Sequence, residues 1–279
     1  MKKRNVKKVV QGKQTVDGAG VHLTRVLSRG DIYDFDPFLM LDSFDSKNPS
    51  DYLQGFPWHP HRGIETVTYL ISGSMEHQDS IGNKGLIKPG GSQWMVAGSG
   101  VQHQEMPQDS EHMLGFQLWI NLPKKDKMTT PAYNDLQLNQ DIKTVKETNA
   151  VINVISGEYQ GVQGFTPSYV QATILDVSLE NNETFKYEVS NDKNVFVFLI
   201  NDNAIINEIE YQEKSAILFD EGDYIEVKTS SDKDARFIIF SAQPLKEPIA
   251  WAGPIVMNTD EEISETFREL ENNTFLKHQ

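Results

Sequence analysis

Residues Gly55–Pro107 open as Gly55-Phe-Pro-Trp-His59-Pro-His61-Arg-Gly-Ile-Glu65-Thr-Val-Thr-Tyr-Leu70. They close as Pro89-Gly-Gly-Ser-Gln-Trp-Met95-Val-Ala-Gly-Ser-Gly-Val-Gln-His103-Gln-Glu105-Met-Pro107. Two short pairs mark the ends, His59-x-His61 and His103-x-Glu105. Along a strand, residues i and i+2 point to one face, so each pair can aim two donor atoms at one point. The segment between alternates strand-like runs with turns: Val67–Ile71, then His77–Ser80, then Ile81–Gly85 and Pro89–Gly91. A hairpin-like path of that kind returns the second pair beside the first. Three neutral imidazoles and one carboxylate are an ordinary ligand set for a divalent first-row metal. Four of the seven histidines fall in this stretch, which makes chance spacing the weaker explanation.

These residues carry a family resemblance. His59-Pro-His-Arg-Gly-Ile-Glu-Thr-Val-Thr-Tyr-Leu70 resembles the first cupin motif in its pirin form, and Pro89–Pro107 resembles the second. Asp36-Pro-Phe-Leu-Met-Leu-Asp-Ser-Phe44 and Glu247-Pro-Ile-Ala-Trp-Ala-Gly-Pro-Ile-Val-Met-Asn-Thr259 extend the likeness over most of the chain. The resemblance implies an all-β bicupin, with His59, His61, His103 and Glu105 as metal ligands and Fe(II) as first choice. Copper, nickel, cobalt, manganese or zinc also suit imidazole with carboxylate. Glu65 is a rival carboxylate, because many other cupins supply a glutamate at that spacing. The pirin pattern favours Glu105 and leaves Glu65 as a neighbour of a ligand or an ion-pair partner of Arg62.

Composition limits the rest. The chain has 279 residues, 26 basic against 40 acidic, for a net charge of −14. So acidic a surface repels nucleic acid and anionic membrane. There is no cysteine, hence no disulfide framework, thiolate ligand or cysteine nucleophile. No window has the apolar length of a membrane span, and the basic N-terminal residues Lys2–Lys8 lack the apolar run of a signal peptide. A cytoplasmic protein is expected.

Beyond residue 140, short strand-like runs recur, among them Val151–Ile155, Gln171–Val177, Val195–Ile200 and Arg236–Phe240. Thr68–Met75 aligns faintly with Val197–Ala204, which suggests two barrels of one design. The expected division is 1–135, an N-terminal metal-binding cupin domain, and 136–279, a metal-free C-terminal one ending in a helix over 260–276. In that alignment Glu188, Ser190, Ala235 and Phe237 stand where the first barrel has its ligands. No histidine follows His112 except His278, so one metal per chain is expected.

Smaller features complete the reading. Pro60 suggests that the first pair sits at the beginning of a strand. His77 and Asp79 share a face, where they either support a ligand imidazole or lie on an exposed hairpin, the second being favoured. Phe56, Pro57 and Trp58 either wall the pocket or pack a core. His22 has no partner at i±2 and reads as structural. The function implied by the resemblance is opening of a flavonol ring, such as that of quercetin, by O2. The substrate would be a small aromatic chelator, and Glu105 would take its hydroxyl proton. The alternative is a metal-dependent regulatory protein that binds a transcription factor or metabolic enzyme.

Overall fold

The computed structural model describes residues 1–278. They form β-strands throughout and one α-helix, Asp260–Glu271. The chain divides into two compact units, each assembled from separate stretches. One comprises Met1–Lys13, Thr24–Pro37 and Leu138–Pro244; the other comprises Gln14–Leu23, Phe38–Gln137 and the stretch from Leu245 on. The break at 137/138 lies two residues from the division expected at 135/136. The exchange of terminal stretches has no signal in local sequence pattern.

The unit that carries Gly55–Pro107 has two facing sets of strands. Five strands of its large sheet run in the order Ala132–Leu136, Ser92–Val96, Ile64–Ser72, Met113–Asn121 and Phe38–Ser46. A four-stranded sheet runs Phe56–His61, Val101–Pro107, Met75–Asp79 and Lys84–Ile87. All these pairings are antiparallel. Pro60 lies near the end of Phe56–His61 rather than at its start, and that strand is the edge of its sheet. An edge strand tolerates the missing N–H as well as a strand's first residue does.

The other unit repeats the plan. Its large sheet runs Val6–Gln11, Ser215–Phe219, Asn194–Asn201, Ala235–Ala242, Thr173–Leu179, Ala150–Ser156 and Lys143–Lys146. Its small sheet begins with Thr184–Glu188 beside Tyr224–Lys228. This order corrects the alignment made from sequence. The strand that matches Val101–Pro107 is Tyr224–Lys228, whereas Ala235 and Phe237 belong to the large sheet. The side chains of these two strands that face the core are Phe185, Tyr187, Ile225 and Val227, all buried in one hydrophobic cluster. Glu188 is exposed.

The C-terminal segment is built into the unit that carries Gly55–Pro107, the first cupin unit in chain order. Its helix starts with a reciprocal cap: Glu262 N–H donates to Thr259 Oγ1, and the Glu262 carboxylate accepts from Thr259 N–H. It ends at Glu271, short of the expected 276, because Asn273 adopts a left-handed conformation with φ 56°. Arg62, 2% exposed, holds this segment. Its guanidinium donates to Ser99 O, Thr266 Oγ1, Glu269 Oε2 and Phe275 O, and lies over the Phe275 ring at 4.6 Å. The ion-pair partner of Arg62 is therefore Glu269 and not Glu65.

Gly63 joins the two sheets directly after His61 and Arg62. Its φ is +77°, and a Cβ there would stand 1.9 Å from Val256 O. The buried Lys127 ammonium donates to both Gly63 O and Val256 O at 2.8 Å. Gly63→Ala is expected to cost at least about 1–3 kcal/mol from backbone strain alone, before the clash is counted. A denaturant midpoint equal to that of the parent would show that this close approach is not required.

Candidate metal centre

Antiparallel pairing sets His103 directly opposite His59, and Val101 opposite His61. His103 Nε2 lies 2.9 Å from His59 Nε2. One ring nitrogen each of His59, His61 and His103 lies within 4.8 Å of the others. His59 Nδ1 is 2.8 Å from Pro57 O and His61 Nδ1 is 3.1 Å from Pro254 O. A carbonyl oxygen only accepts, so both rings carry their proton on Nδ1 and present a lone pair at Nε2. Fixing the far nitrogen in this way is what a metal-binding histidine requires.

Burial keeps the His61 and His103 rings neutral. It pushes the His61 imidazole down to about 3, aided by His59 and opposed by the Pro254 carbonyl. It pushes His103 well below the ordinary range, aided by His59, His61 and His77. His61 Nε2 and His103 Nδ1 are buried without a protein partner. An unsatisfied buried polar atom costs about 1–3 kcal/mol, which a cation at His61 Nε2 would offset. The donor set therefore fits a divalent first-row ion.

Glu105 is fully buried but does not join that trio; its carboxylate groups with His103 and His77, again within 4.8 Å. Both its oxygens are held. Thr68 Oγ1 is 2.8 Å from Oε1 and Gln117 Nε2 donates to Oε2 at 3.1 Å. The register between Phe56–His61 and Val101–Pro107 shifts between His103 and Glu105, so Glu105 pairs with Phe56.

Glu65 points away from this group. Thr68 faces Glu105, and Trp119, paired with Thr66, packs on His61 with ring centroids 4.9 Å apart. Alternation along Ile64–Ser72 then puts Glu65 on the opposite face, paired with Ile120 and Val96. In sequence Glu65 shares the parity of His59 and His61, but that parity is lost at the Gly63 turn. His77 and Asp79, by contrast, are buried at 2% and 4%, so the exposed-hairpin reading is overturned. Trp58 is 48% exposed, outside any core.

Residues 20–120 match the Pirin family and residues 174–276 match the Pirin C-terminal cupin domain. A pirin-like protein of Caulobacter vibrioides is 40% identical over 275 residues, covering 98% of this chain and 99% of that protein. The chain belongs to the pirin family. Human Pirin is 35% identical over 269 residues, covering 94% of this chain and 91% of its own. Among solved structures, a quercetin 2,3-dioxygenase from Acinetobacter baumannii matches with a TM-score of 0.89 at 29% identity. That match covers 98% of this chain and 99% of the other. The two cupin domains expected from sequence are thus both present. Like the imidazole trio, the His77–His103–Glu105 group lies in the first of them.

This pirin chain carries a buried acid away from its metal-type residues. Burial pushes the Glu65 carboxyl from 4.5 up to about 8, with Trp94 acting the other way. The fold prefers the protonated form, so the native state binds more protons than the unfolded chain between about pH 4.5 and 8. The stability that Glu65 contributes is whole below that window and is lost as pH rises through it. Glu65→Gln is expected to raise the melting temperature by several degrees at pH 9 and little at pH 5. An equal effect at both values would contradict the buried, protonated acid.

Proposed function

We propose that this chain is a metal-dependent dioxygenase that opens flavonols such as quercetin with O2, its ion held by His59, His61, His103 and Glu105. The observation that carries the reading is the convergence of three imidazoles, two with lone pairs fixed by backbone carbonyls. Fe(II) is the first choice among divalent first-row ions for three imidazoles and a carboxylate, given the family. An ion held by these four protein donors would still have room to take a chelating substrate. When bound, the ion would supply Lewis acidity and a redox contact between that chelate and dioxygen.

The chain's own residues do the rest. Trp119 packs on His61, and Trp251 lies against Trp119 at 5.7 Å, an aromatic wall suited to a planar ring. Glu105 is the base for the flavonol hydroxyl proton. Thr68 Oγ1 is 2.8 Å from both Glu105 Oε1 and Gln117 Oε1, but its hydroxyl has one hydrogen to give. When Glu105 takes a proton, that hydrogen can turn to Gln117, so no buried donor is stranded. Gln117 Nε2 keeps the carboxylate aimed throughout.

Protein stripped by a chelator is expected to leave quercetin unchanged under air, and iron or copper to restore its loss together with O2 uptake. His61→Ala or His103→Ala should remove most bound metal while the fold stays. Glu105→Gln should lower turnover at least about 100-fold, the usual scale for a positioned base. Full metal occupancy with no turnover of quercetin would favour the regulatory role instead.

A further inference from the structure

His77 is a buried titratable side chain that this reading leaves without a task. It stands directly across from Glu105 on the adjacent strand, as Asp79 stands across from His103. Its ring centroid is 5.3 Å from that of His103. A ring nitrogen of His77, a ring nitrogen of His103 and a carboxylate oxygen of Glu105 lie within 4.8 Å of one another. His77 Nδ1 is buried and has no partner.

The ring is also held in the manner of a ligand. His77 Nε2 faces Asp79 Oδ2 at 3.5 Å. Asp79 is itself fixed by Ile81 N at 3.0 Å, Asn83 N at 2.9 Å and Asn83 Nδ2 at 2.8 Å. With the proton on Nε2 toward that carboxylate, Nδ1 presents its lone pair. A carboxylate behind an imidazole is the usual support for a metal-binding histidine. Tyr133 stacks on the other side, 4.6 Å away with planes 17° apart. Its phenol fits only because residue 85 is glycine, where a Cβ would stand 2.0 Å from the hydroxyl. Asp79 and Tyr133 thus fix a ring whose free nitrogen has no protein partner.

We propose that His77 is a fifth donor to the metal centre, forming with His103 and Glu105 a second station for the ion received by His59, His61 and His103. The inference rests on the metal reading above. His103 is common to both groups, so one ion can pass between them without leaving protein donors. The ligand class is a divalent first-row cation that accepts imidazole and carboxylate together. Such an arrangement keeps the ion bound when a chelating ligand takes coordination positions beside His59 and His61.

The test uses full-length protein, Co(II) as the probe, and a competing chelator to read affinity. His77→Phe retains a ring to stack on Tyr133, and His77→Gln serves as a second variant should the first fail to fold. Each is expected to change the Co(II) absorption bands and to weaken binding by about tenfold or more. Combined with Glu105→Gln, the loss should exceed the product of the two single losses, because each donor covers for the other. Unchanged bands and affinity would overturn the proposal. So would a combined loss no larger than that of Glu105→Gln alone, the signature of a residue that acts only through Glu105. Failure of the unmodified protein to bind Co(II) would overturn the metal reading itself, and this inference with it.

Discussion

The site depends on one antiparallel pairing, that of Phe56–His61 with Val101–Pro107. It sets His59 against His103 with nitrogens 2.9 Å apart. Everything else in the site adjusts lone pairs around that contact. Pro57 and Pro254 supply carbonyls that choose the tautomers of His59 and His61. Thr68 and Gln117 take up both oxygens of Glu105. Bringing imidazoles this close in a buried place costs free energy unless something binds them. The surrounding structure over-determines the arrangement, and Arg62 and Lys127 anchor the segment that delivers Pro254.

The second unit shows what the same plan does without that cost. Where the first unit's small sheet presents imidazoles and a carboxylate inward, the second presents Phe185, Tyr187, Ile225 and Val227. Fully burying such a side chain is worth about 1.5–3 kcal/mol. Leaving one imidazole nitrogen buried and unpaired costs about 1–3 kcal/mol. The two effects are of similar size and opposite sign, so one cup stabilises its unit while the other spends stability on a binding site.

Much of this was legible in the sequence because it is local. The i,i+2 histidine and glutamate pairs, the alternating strands and the C-terminal helix all depend on residues a few positions apart. The rest depends on contacts that local pattern does not encode. Strand parity carried Glu65 to the wrong face because Gly63 turns the chain between sheets. The second barrel was aligned one strand too far, onto Ala235 and Phe237, because the strand that matches Val101–Pro107 has no histidine. His77 looked like part of an exposed hairpin, since the Tyr133 and His103 rings that cover it are remote in sequence. Pro254 lies 193 residues from His61, and nothing near either residue announces their contact.

The central claim is that one ion sits among His59, His61 and His103. Anomalous diffraction from crystals of the metal-loaded protein, collected on both sides of the metal's absorption edge, tests it directly. The account predicts a peak about 2.0–2.2 Å from Nε2 of each of the three histidines, the ordinary metal–imidazole distance. Full metal content with the peak outside this cup, or with any of the three imidazoles turned away from it, would contradict the account.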